Sequence, residues 1–165
     1  MRRESIERIQ REKLAALLAV VRASNAFYQE KLGAAALDAP PGAKASTLKD
    51  LPLEDILDGI PFTTKEDLLE DQRLHPPFGS NLTFPLGRYT RIHQTSGTSG
   101  EPLWWLDTPE SWAWVVRTWD EVFGAARVVA EDRFFFPFSF GPFLGFWAAF
   151  EGAARRGHLA IPGGG

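Results

Sequence analysis

The residues TSGTSG at positions 95–100 separate two apolar segments and contain only glycine and hydroxylated side chains. Glycine permits positive φ angles and a close approach of the backbone to a ligand. Serine and threonine add hydroxyl donors to the backbone N–H groups that surround an anion. This composition predicts an anion-binding loop. Short runs of serine, threonine and glycine are also typical of flexible surface turns, so the composition alone leaves both interpretations open.

The loop joins two segments that are predicted to be extended, and residues 103–106 (LWWL) form the second of them. A Walker loop requires Gly-Lys-Ser/Thr at the start of a helix, and a dinucleotide fingerprint requires Gly-x-Gly-x-x-Gly in the same place. Neither pattern is present. The loop is therefore a poor candidate for either of those two nucleotide folds.

A strong helix signal follows the loop. Thr108 is predicted to cap this helix, with Pro109 in its first turn and Gly124 as its stop. One apolar stripe covers the predicted helix and consists of Trp112, Val115, Val116, Trp119, Val122 and Phe123. We expect this stripe to pack in the core.

The remaining sequence predicts a strand, a helix and a strand. Residues 134–136 (FFF) form a continuous apolar run that is typical of a strand buried on both faces. A helix is expected to end near Gly157, and residues 159–161 begin another strand. This order predicts a right-handed crossover and a parallel sheet. Because such a sheet needs several strands, we expect either the N-terminal part of a longer protein or a module that relies on a partner.

The first half of the sequence is predicted to be helical and rich in loops. Residues 5–23 show the spacing of an amphipathic helix, and either Ser24 or Asn25 can cap a second one. Thr63 with Glu66, or Thr64 with Asp67, makes a capping box before a later helix. Those two pairings stay open. We predict a boundary near residue 87, between a helical region at 1–87 and an α/β region at 88–165.

Composition excludes several classes of function. The net charge of −3 provides no basic field for nucleic acid. The absence of cysteine, together with only three histidines, makes a structural zinc site improbable. Residues 134–150 are uncharged but too short and too interrupted by proline and glycine to span a membrane. The charged N-terminus is unlike a secretory signal, so we expect a cytoplasmic protein.

Four segments in this order resemble the phenylacetate-CoA ligase family of the adenylate-forming superfamily. The first two are residues 25–32 (NAFYQEKL) and 60–68 (IPFTTKEDL). The third is residues 91–100 (RIHQTSGTSG), which are similar to the phosphate-binding signature and its entry. The fourth runs from FGPF at 140–143 to IPGG at 161–164. The resemblance implies an α/β fold in which a helical N-terminal region precedes the first strands and crossover helices of a truncated adenylate-forming large domain.

The resemblance also implies an activity and a set of site residues. It implies that ATP activates a small carboxylic acid to an acyl-adenylate, which is then transferred to coenzyme A, with Mg²⁺ as the metal. The implied phosphate cradle is Thr95, Ser96, Gly97, Thr98, Ser99 and Gly100. The implied substrate turn is Ser139, Phe140, Gly141, Pro142 and Phe143, for which core packing is an equally weighted alternative. His93 is expected to make a strand-end hydrogen bond rather than to act in catalysis.

The sequence departs from the family pattern at Glu101, where the family usually has lysine, so that a negative charge stands beside the expected phosphate. The family's adenine, ribose and Mg²⁺ motifs and its catalytic lysine match no residue here, so the chain alone is expected to be inactive. Two other functions stay open, namely an AMP-forming synthetase with a different acceptor and a non-catalytic binding module. A homodimer is also left open.

Overall fold

The computed structural model describes residues 2–33, 52–95 and 100–164. The chain divides into two compact units, Met1–Leu86 and Gly87–Gly165. Helices make up the first unit, whereas the second contains both strands and helices. Among the described residues, no helix combines the length and the apolar character needed to cross a membrane.

The first unit contains helices α1 (Arg3–Ser24), α2 (Ala26–Gly33), α3 (Leu53–Asp58) and α4 (Lys65–Leu74). Its apolar core brings together one face of α1, the end of α2 and the middle of α3. The buried members of this core are Ala15, Leu18, Leu32 and Ile56. The amphipathic spacing of α1 therefore buries a narrow stripe, and the neighbouring Leu17 stays 57% exposed.

Asn25 caps α2 and also anchors a later loop. Its side-chain oxygen accepts a hydrogen bond from the backbone N–H of Tyr28 (3.1 Å), which selects Asn25 over Ser24 as the cap. Its amide nitrogen donates to Asn81 Oδ1 (2.9 Å) and Thr83 Oγ1 (3.0 Å). Because these bonds satisfy both ends of the amide, Asn25 is buried at 1% exposure without an unpaired polar group.

The capping box of α4 uses the second of the two predicted pairings. The Thr64 side chain accepts from the Asp67 backbone N–H (3.1 Å), and the Asp67 carboxylate accepts from the Thr64 backbone N–H (2.9 Å). Lys31 of α2 also donates to the Asp67 carboxylate. The pKa of Asp67 is lowered from its usual value. The hydrogen bond from Lys31 is the largest cause, and the hydrogen bond from the Thr64 N–H is the second.

In the second unit, a 3₁₀ turn (Leu86–Arg88) precedes strands β1 (Arg91–Gln94) and β2 (Trp104–Asp107). These strands pair antiparallel, with Arg91 opposite Asp107 and His93 opposite Trp105. The prediction that the loop at 95–100 joins two extended segments is confirmed. However, β2 pairs with β1 and not with β3, so the described strands form two separate two-stranded sheets.

Helix α5 (Pro109–Ala125) begins as predicted, with Thr108 Oγ1 accepting from the Ser111 N–H (3.2 Å). Its predicted stop at Gly124 is wrong. Gly124 is still helical, and the left-handed conformation that follows the helix belongs to Arg127 (φ 56°). The hydrogen bond from the Val128 N–H to the Phe123 carbonyl closes the chain around Arg127, so local backbone bonding ends the helix.

Strand β3 (Arg133–Phe136), helix α6 (Leu144–Arg155) and strand β4 (Leu159–Pro162) form the predicted crossover, and β3 pairs parallel with β4. Phe136 is buried, but Phe135 on the other face is 63% exposed. The expectation that β3 is buried on both faces is therefore wrong among the described residues. The helices cover one face of this two-stranded sheet, and the aromatic cluster around Phe123, Phe136 and Ala153 forms on that side.

Candidate functional site

The loop at 95–100 has a neck that two hydrogen bonds close. The backbone N–H of Thr95 donates to the Leu103 carbonyl (3.0 Å), and the Leu103 N–H donates to Thr95 Oγ1 (3.0 Å). These bonds extend the β1–β2 ladder by one pair beyond the strands. Because Thr95 Oγ1 accepts from Leu103, the single hydroxyl proton of Thr95 is left to donate to another acceptor, such as a phosphate oxygen.

The structure describes only the two ends of the predicted phosphate cradle. Thr95 forms the neck, and Gly100 has a φ of 130°, a conformation that favours glycine. The prediction for Ser96, Gly97, Thr98 and Ser99 lies outside the described residues.

The predicted substrate turn is tied to the same end of β1. The backbone N–H of Gln94, the residue before Thr95, donates to the Pro142 carbonyl (2.8 Å). Trp147 of α6 donates its indole N–H to the Gly141 carbonyl (2.8 Å). Gly141 has a φ of 50°, so a side chain there would be strained. Gln94, the last residue of β1, therefore holds the predicted substrate turn, and Thr95, the next residue, holds the predicted phosphate loop.

The five residues of the substrate turn have different surroundings. Phe140 is half-buried, and its ring lies close to aromatic rings on every side (4.8 to 6.2 Å between centroids). These neighbours are Phe136, Phe138, Trp147 and Phe150. Phe143 contacts the ring of Phe146 edge-on (6.0 Å). Ser139 and Gly141 are exposed, and Pro142 is half-buried. Phe143 is half-buried, like Phe140. Phe140 thus packs in the aromatic cluster, while Ser139 and Gly141 lie at the surface.

His93 is buried directly behind the loop neck. Its ring stacks on Trp112 of α5 (4.8 Å between centroids, 25° between planes). Its Nδ1 atom lies 3.4 Å from Asp107 Oδ2, and neither atom has a hydrogen-bond partner among the described residues. The strand-end hydrogen bond predicted for His93 is therefore not made by Nδ1. A carboxylate faces that atom instead.

Arg91 of β1 and Glu151 of α6 both contact the same tryptophan, Trp112. The Arg91 guanidinium lies over the Trp112 ring (4.8 Å) and pairs with Glu151 of α6 (2.9 Å). Glu151 also accepts from the Trp112 indole N–H (2.6 Å). Arg91 and His93 lie on the same face of β1, so one face of this strand is held by α5 and α6 together.

The sequence did not point to three of these residues. Asp107 immediately precedes the Thr108 cap, and its approach to His93 depends on the antiparallel register of β1 and β2. Gln94 acts through its backbone, which carries no sequence signal. Glu151 is the first charge after the uncharged run at 134–150, and this is the one signal that could have identified it.

No group of three or more histidine or acidic side chains in the described ranges could hold a metal ion. The resemblance places the Mg²⁺ ligands in segments that match no residue here.

Curated proteins support the resemblance, although no protein-family model matches the chain. The chain is 39% identical over 100 residues to the phenylacetate-coenzyme A ligase of Thermus thermophilus, covering 61% of this chain and 19% of that protein. It is 31% identical over 106 residues to the phenylacetate-coenzyme A ligase of Escherichia coli, covering 62% and 22%. The chain spans about a fifth of the length of these relatives.

Solved structures support the fold. A crystal structure of 2-hydroxyisobutyryl-CoA ligase in an open conformation, in complex with 2-HIB-AMP and CoA, matches all of this chain with a TM-score of 0.83 and 25% identity. This chain covers 36% of that one. The postadenylation state of the same ligase in complex with R3-HIB-AMP matches with a TM-score of 0.82 and 25% identity. The predicted resemblance is confirmed, and the chain has the fold of part of a CoA ligase.

Proposed function

From its homology with phenylacetate-coenzyme A ligases, we propose that the chain is part of an AMP-forming acid–thiol ligase. In the first step a carboxylate oxygen attacks the α-phosphorus of ATP, the bond to the β-phosphate breaks, and pyrophosphate leaves. In the second step the thiol of coenzyme A attacks the carbonyl carbon of the adenylate, losing its proton, and AMP leaves. The neighbouring solved structures contain an acyl-adenylate and CoA, which supports both steps.

One observation carries the proposal. Gln94 and Thr95 are consecutive residues, and they hold the substrate turn and the neck of the phosphate loop respectively. A ligase that joins a carboxylate to ATP must hold the two reactants within bonding distance of each other. A strand end with one ligand loop on each side provides such an arrangement.

The proposed role of the loop is to stabilise charge on the leaving pyrophosphate. Negative charge develops there as the bond to the α-phosphorus breaks, and donors that are already in position stabilise it without reorganising. We assign this role to the loop donors Thr95, Ser96, Gly97, Thr98, Ser99 and Gly100. The Thr95 hydroxyl is the member whose free proton the described contacts support.

The proposed role of the turn is to hold the acid. We assign it to Ser139, Gly141, Pro142 and Phe143, with Phe140 as the ring that anchors the turn in the aromatic cluster. The Trp147 and Gln94 hydrogen bonds use the carbonyls of Gly141 and Pro142, so the turn is held through its backbone and its side chains are left to contact the substrate.

The test is acid-dependent exchange of labelled pyrophosphate into ATP by the full-length protein that carries this chain. We expect exchange with at least one acid in a panel of aryl, hydroxy and fatty acids, and none without acid. Thioester formation with coenzyme A is measured on the same acids. If no acid in the panel supports exchange, the proposal is wrong.

A different acceptor is the second candidate. An AMP-forming synthetase that transfers the acyl group to a protein or another nucleophile would give the same exchange, because the first step is identical. Analysis of the products with and without coenzyme A separates the two. Acyl-CoA formation supports the ligase, and accumulation of the adenylate in the presence of coenzyme A supports the alternative.

Glu101 favours a third candidate, a binding module without catalysis, because it puts a negative charge where the family usually has a positive one. Glu101 is exposed at the end of the loop. Its substitution by lysine (E101K) is expected to strengthen ATP binding, which isothermal calorimetry measures. Acid-dependent exchange of pyrophosphate into ATP by the unchanged protein would rule out the non-catalytic module.

The remaining assignments are part of the same proposal. We propose that these 165 residues are inactive alone, since they cover about a fifth of the relatives, that Mg²⁺ accompanies ATP, and that the protein works in the cytoplasm, as a monomer or a homodimer. Exchange by the isolated 165-residue chain would contradict the first assignment, and sedimentation analysis of the full-length protein decides the last.

A further inference from the structure

Behind the loop neck, two buried polar atoms face each other without hydrogen bonds. His93 and Asp107 are each 3% exposed, and their facing atoms Nδ1 and Oδ2 are 3.4 Å apart. Neither atom has another hydrogen-bond partner among the described residues. Buried polar atoms in folded proteins are nearly always paired, and exceptions point to strain or to function.

The contact between His93 Nδ1 and Asp107 Oδ2 depends on where the imidazole proton lies. If the proton were on Nε2 alone, the Nδ1 lone pair would face the carboxylate oxygen and repel it. A proton on Nδ1 turns the same contact into a donor facing an acceptor. The other oxygen of Asp107 accepts from the Ser111 hydroxyl (2.8 Å), so the carboxylate is fixed in orientation. A proton on Nδ1 would make this contact favourable.

We propose that His93 and Asp107 are positioning residues for the phosphate loop. This inference rests on the proposed function. His93 precedes Thr95 by two residues in the same strand, and Thr95 forms the loop neck. Asp107 ends β2, the strand on the other side of that neck. The contact between His93 and Asp107 therefore joins the two strands that flank the loop. His93 lies opposite Trp105, two register positions behind the Thr95–Leu103 pair, and Asp107 lies at the far end of β2, four positions behind that pair.

The groups around the pair hold it from three elements. Trp112 of α5 stacks on the imidazole, and Ser111 of α5 binds the carboxylate. Arg91 of β1 and Glu151 of α6 form an ion pair beside the same indole. Every neighbouring charge except Asp107 therefore has its own partner.

Two substitutions of His93 in the full-length protein test whether its hydrogen-bond donor or its aromatic ring matters. The amide of His93→Asn places a donor near the position of Nδ1, whereas His93→Phe keeps a ring for Trp112 and removes the donor. His158→Phe is the matched control, because His158 also has a buried Nδ1 without a hydrogen-bond partner, but its ring contacts Phe134 and not a carboxylate. Circular dichroism checks that each variant is folded.

In pyrophosphate exchange we expect His93→Phe to raise the KM for ATP by roughly 10- to 100-fold, because a displacement of about 1 Å in groups that hold a substrate costs on the order of 100-fold. The KM for the acid should stay unchanged. His93→Asn should restore the KM for ATP to near the wild-type value, and His158→Phe should leave it unaffected. Loss of folded protein alone would lower the apparent kcat without this division between the two KM values.

The inference is overturned if His93→Phe and His158→Phe have the same KM for ATP, or if His93→Asn behaves like His93→Phe. If His93→Phe does not fold, Asp107→Ala removes the acceptor and is compared with His158→Phe in the same way.

Binding of inorganic pyrophosphate, measured by calorimetry, shows whether the positioning role of His93 fails or the proposed ligase function fails. If the wild type binds pyrophosphate without exchanging it, and His93→Phe weakens the binding, the ligase proposal fails and the positioning role stands. If pyrophosphate does not bind to the wild type, both fail.

Discussion

The two units of the chain differ in how they bury polar side chains. In the first unit, Asn25 and Asp71 are buried, and hydrogen bonds to neighbouring groups satisfy them. In the second unit lie all four described side-chain atoms that are buried without a hydrogen-bond partner, on His93, Asp107, Asp120 and His158. Satisfied polar groups hold loops in place, whereas an unsatisfied pair behind a ligand loop indicates a site. Of these four residues, His93 and Asp107 are the two that lie in the strands flanking the loop.

Asp71 shows what a structural polar residue looks like. It accepts from the Ser80 N–H (2.8 Å), the Ser80 hydroxyl (2.5 Å), the Asn81 N–H (3.3 Å) and His75 Nδ1 (3.1 Å). The carboxylate thereby fixes the chain that leaves α4. Asn81 in turn accepts from Asn25, so two buried polar residues hold one loop from both sides.

Replacing Asp71 by alanine gives the largest expected effect. Two backbone N–H groups and one hydroxyl lose their acceptor at about 1 kcal/mol each, so the free energy of unfolding should fall by about 3 kcal/mol. Urea titration measures this change. Glu70→Ala is the control, because its exposed pair with Arg73 contributes about 0 to 1 kcal/mol. Equal losses in the two variants would contradict the role of Asp71.

The next effect tests apolar packing in the second unit. A Cβ on Gly152 of α6 would lie 2.9 Å from Trp119 Cβ and 3.4 Å from Phe123 Cε2 on α5. Overpacking costs about 1 to 3 kcal/mol and outweighs the gain of about 1 kcal/mol in helix propensity, so Gly152→Ala should destabilise by about 1 kcal/mol. Gly124→Ala is the control, since no atom lies within 4 Å of its added Cβ.

We expect Gly124→Ala to stabilise the protein by about 0.5 to 1 kcal/mol, because Gly124 is helical. Thermal unfolding measures the change in stability of both variants, Gly152→Ala and Gly124→Ala. Destabilisation by Gly124→Ala would mean that Gly124 ends the helix after all, as the sequence suggested.

A smaller effect is expected from a substitution in the capping box of α4, in the first unit. Thr64→Ala should cost about 1 kcal/mol, because the Asp67 N–H loses its acceptor. Thr63→Ala is the matched control from the alternative pairing, and its effect should be smaller, because the Thr63 hydroxyl makes only a long hydrogen bond to Tyr28 Oη (3.5 Å). Urea titration of both variants measures the difference. If Thr63→Ala proves the more costly, the assignment of the cap is wrong.

The smallest effect depends on pH. Because the pKa of Asp67 is lowered from 3.8, its stabilising contribution is complete above that value and is lost as the pH falls through the folded-state pKa. The difference in stability between the wild type and Asp67→Asn should therefore shrink as the pH falls from about 5 towards 2. Urea midpoints at several pH values measure it. A difference that does not change with pH would contradict the lowered pKa.

Local signals in the sequence predicted much of the fold. The caps at Asn25, Thr64 and Thr108 follow from side chains that bond within three residues, and the β3–α6–β4 crossover follows from the alternation of elements. The end of α5 could not be predicted in this way. Arg127 adopts a conformation that favours glycine, so tertiary packing and the Val128 hydrogen bond overrode local preference.

The candidate site was predictable only where it follows a motif. The loop and the turn were identified from their residues, but the contacts that join them link Gln94 with Pro142 and His93 with Asp107. The first depends on a backbone N–H and the second on strand register, neither of which composition or spacing reveals. The exposure of Phe135 was missed for a similar reason, because burial of a strand depends on what packs against it.

We propose that Thr95 links the phosphate loop to the strand that also holds the acid. The most direct test is the KM for ATP in acid-dependent pyrophosphate exchange by Thr95→Val, which keeps the shape of the side chain and removes the hydroxyl that Leu103 binds. We expect a higher KM for ATP, an unchanged KM for the acid, and no change in either for Thr118→Val, whose hydroxyl bonds within α5. An unchanged KM for ATP in Thr95→Val would contradict the claim.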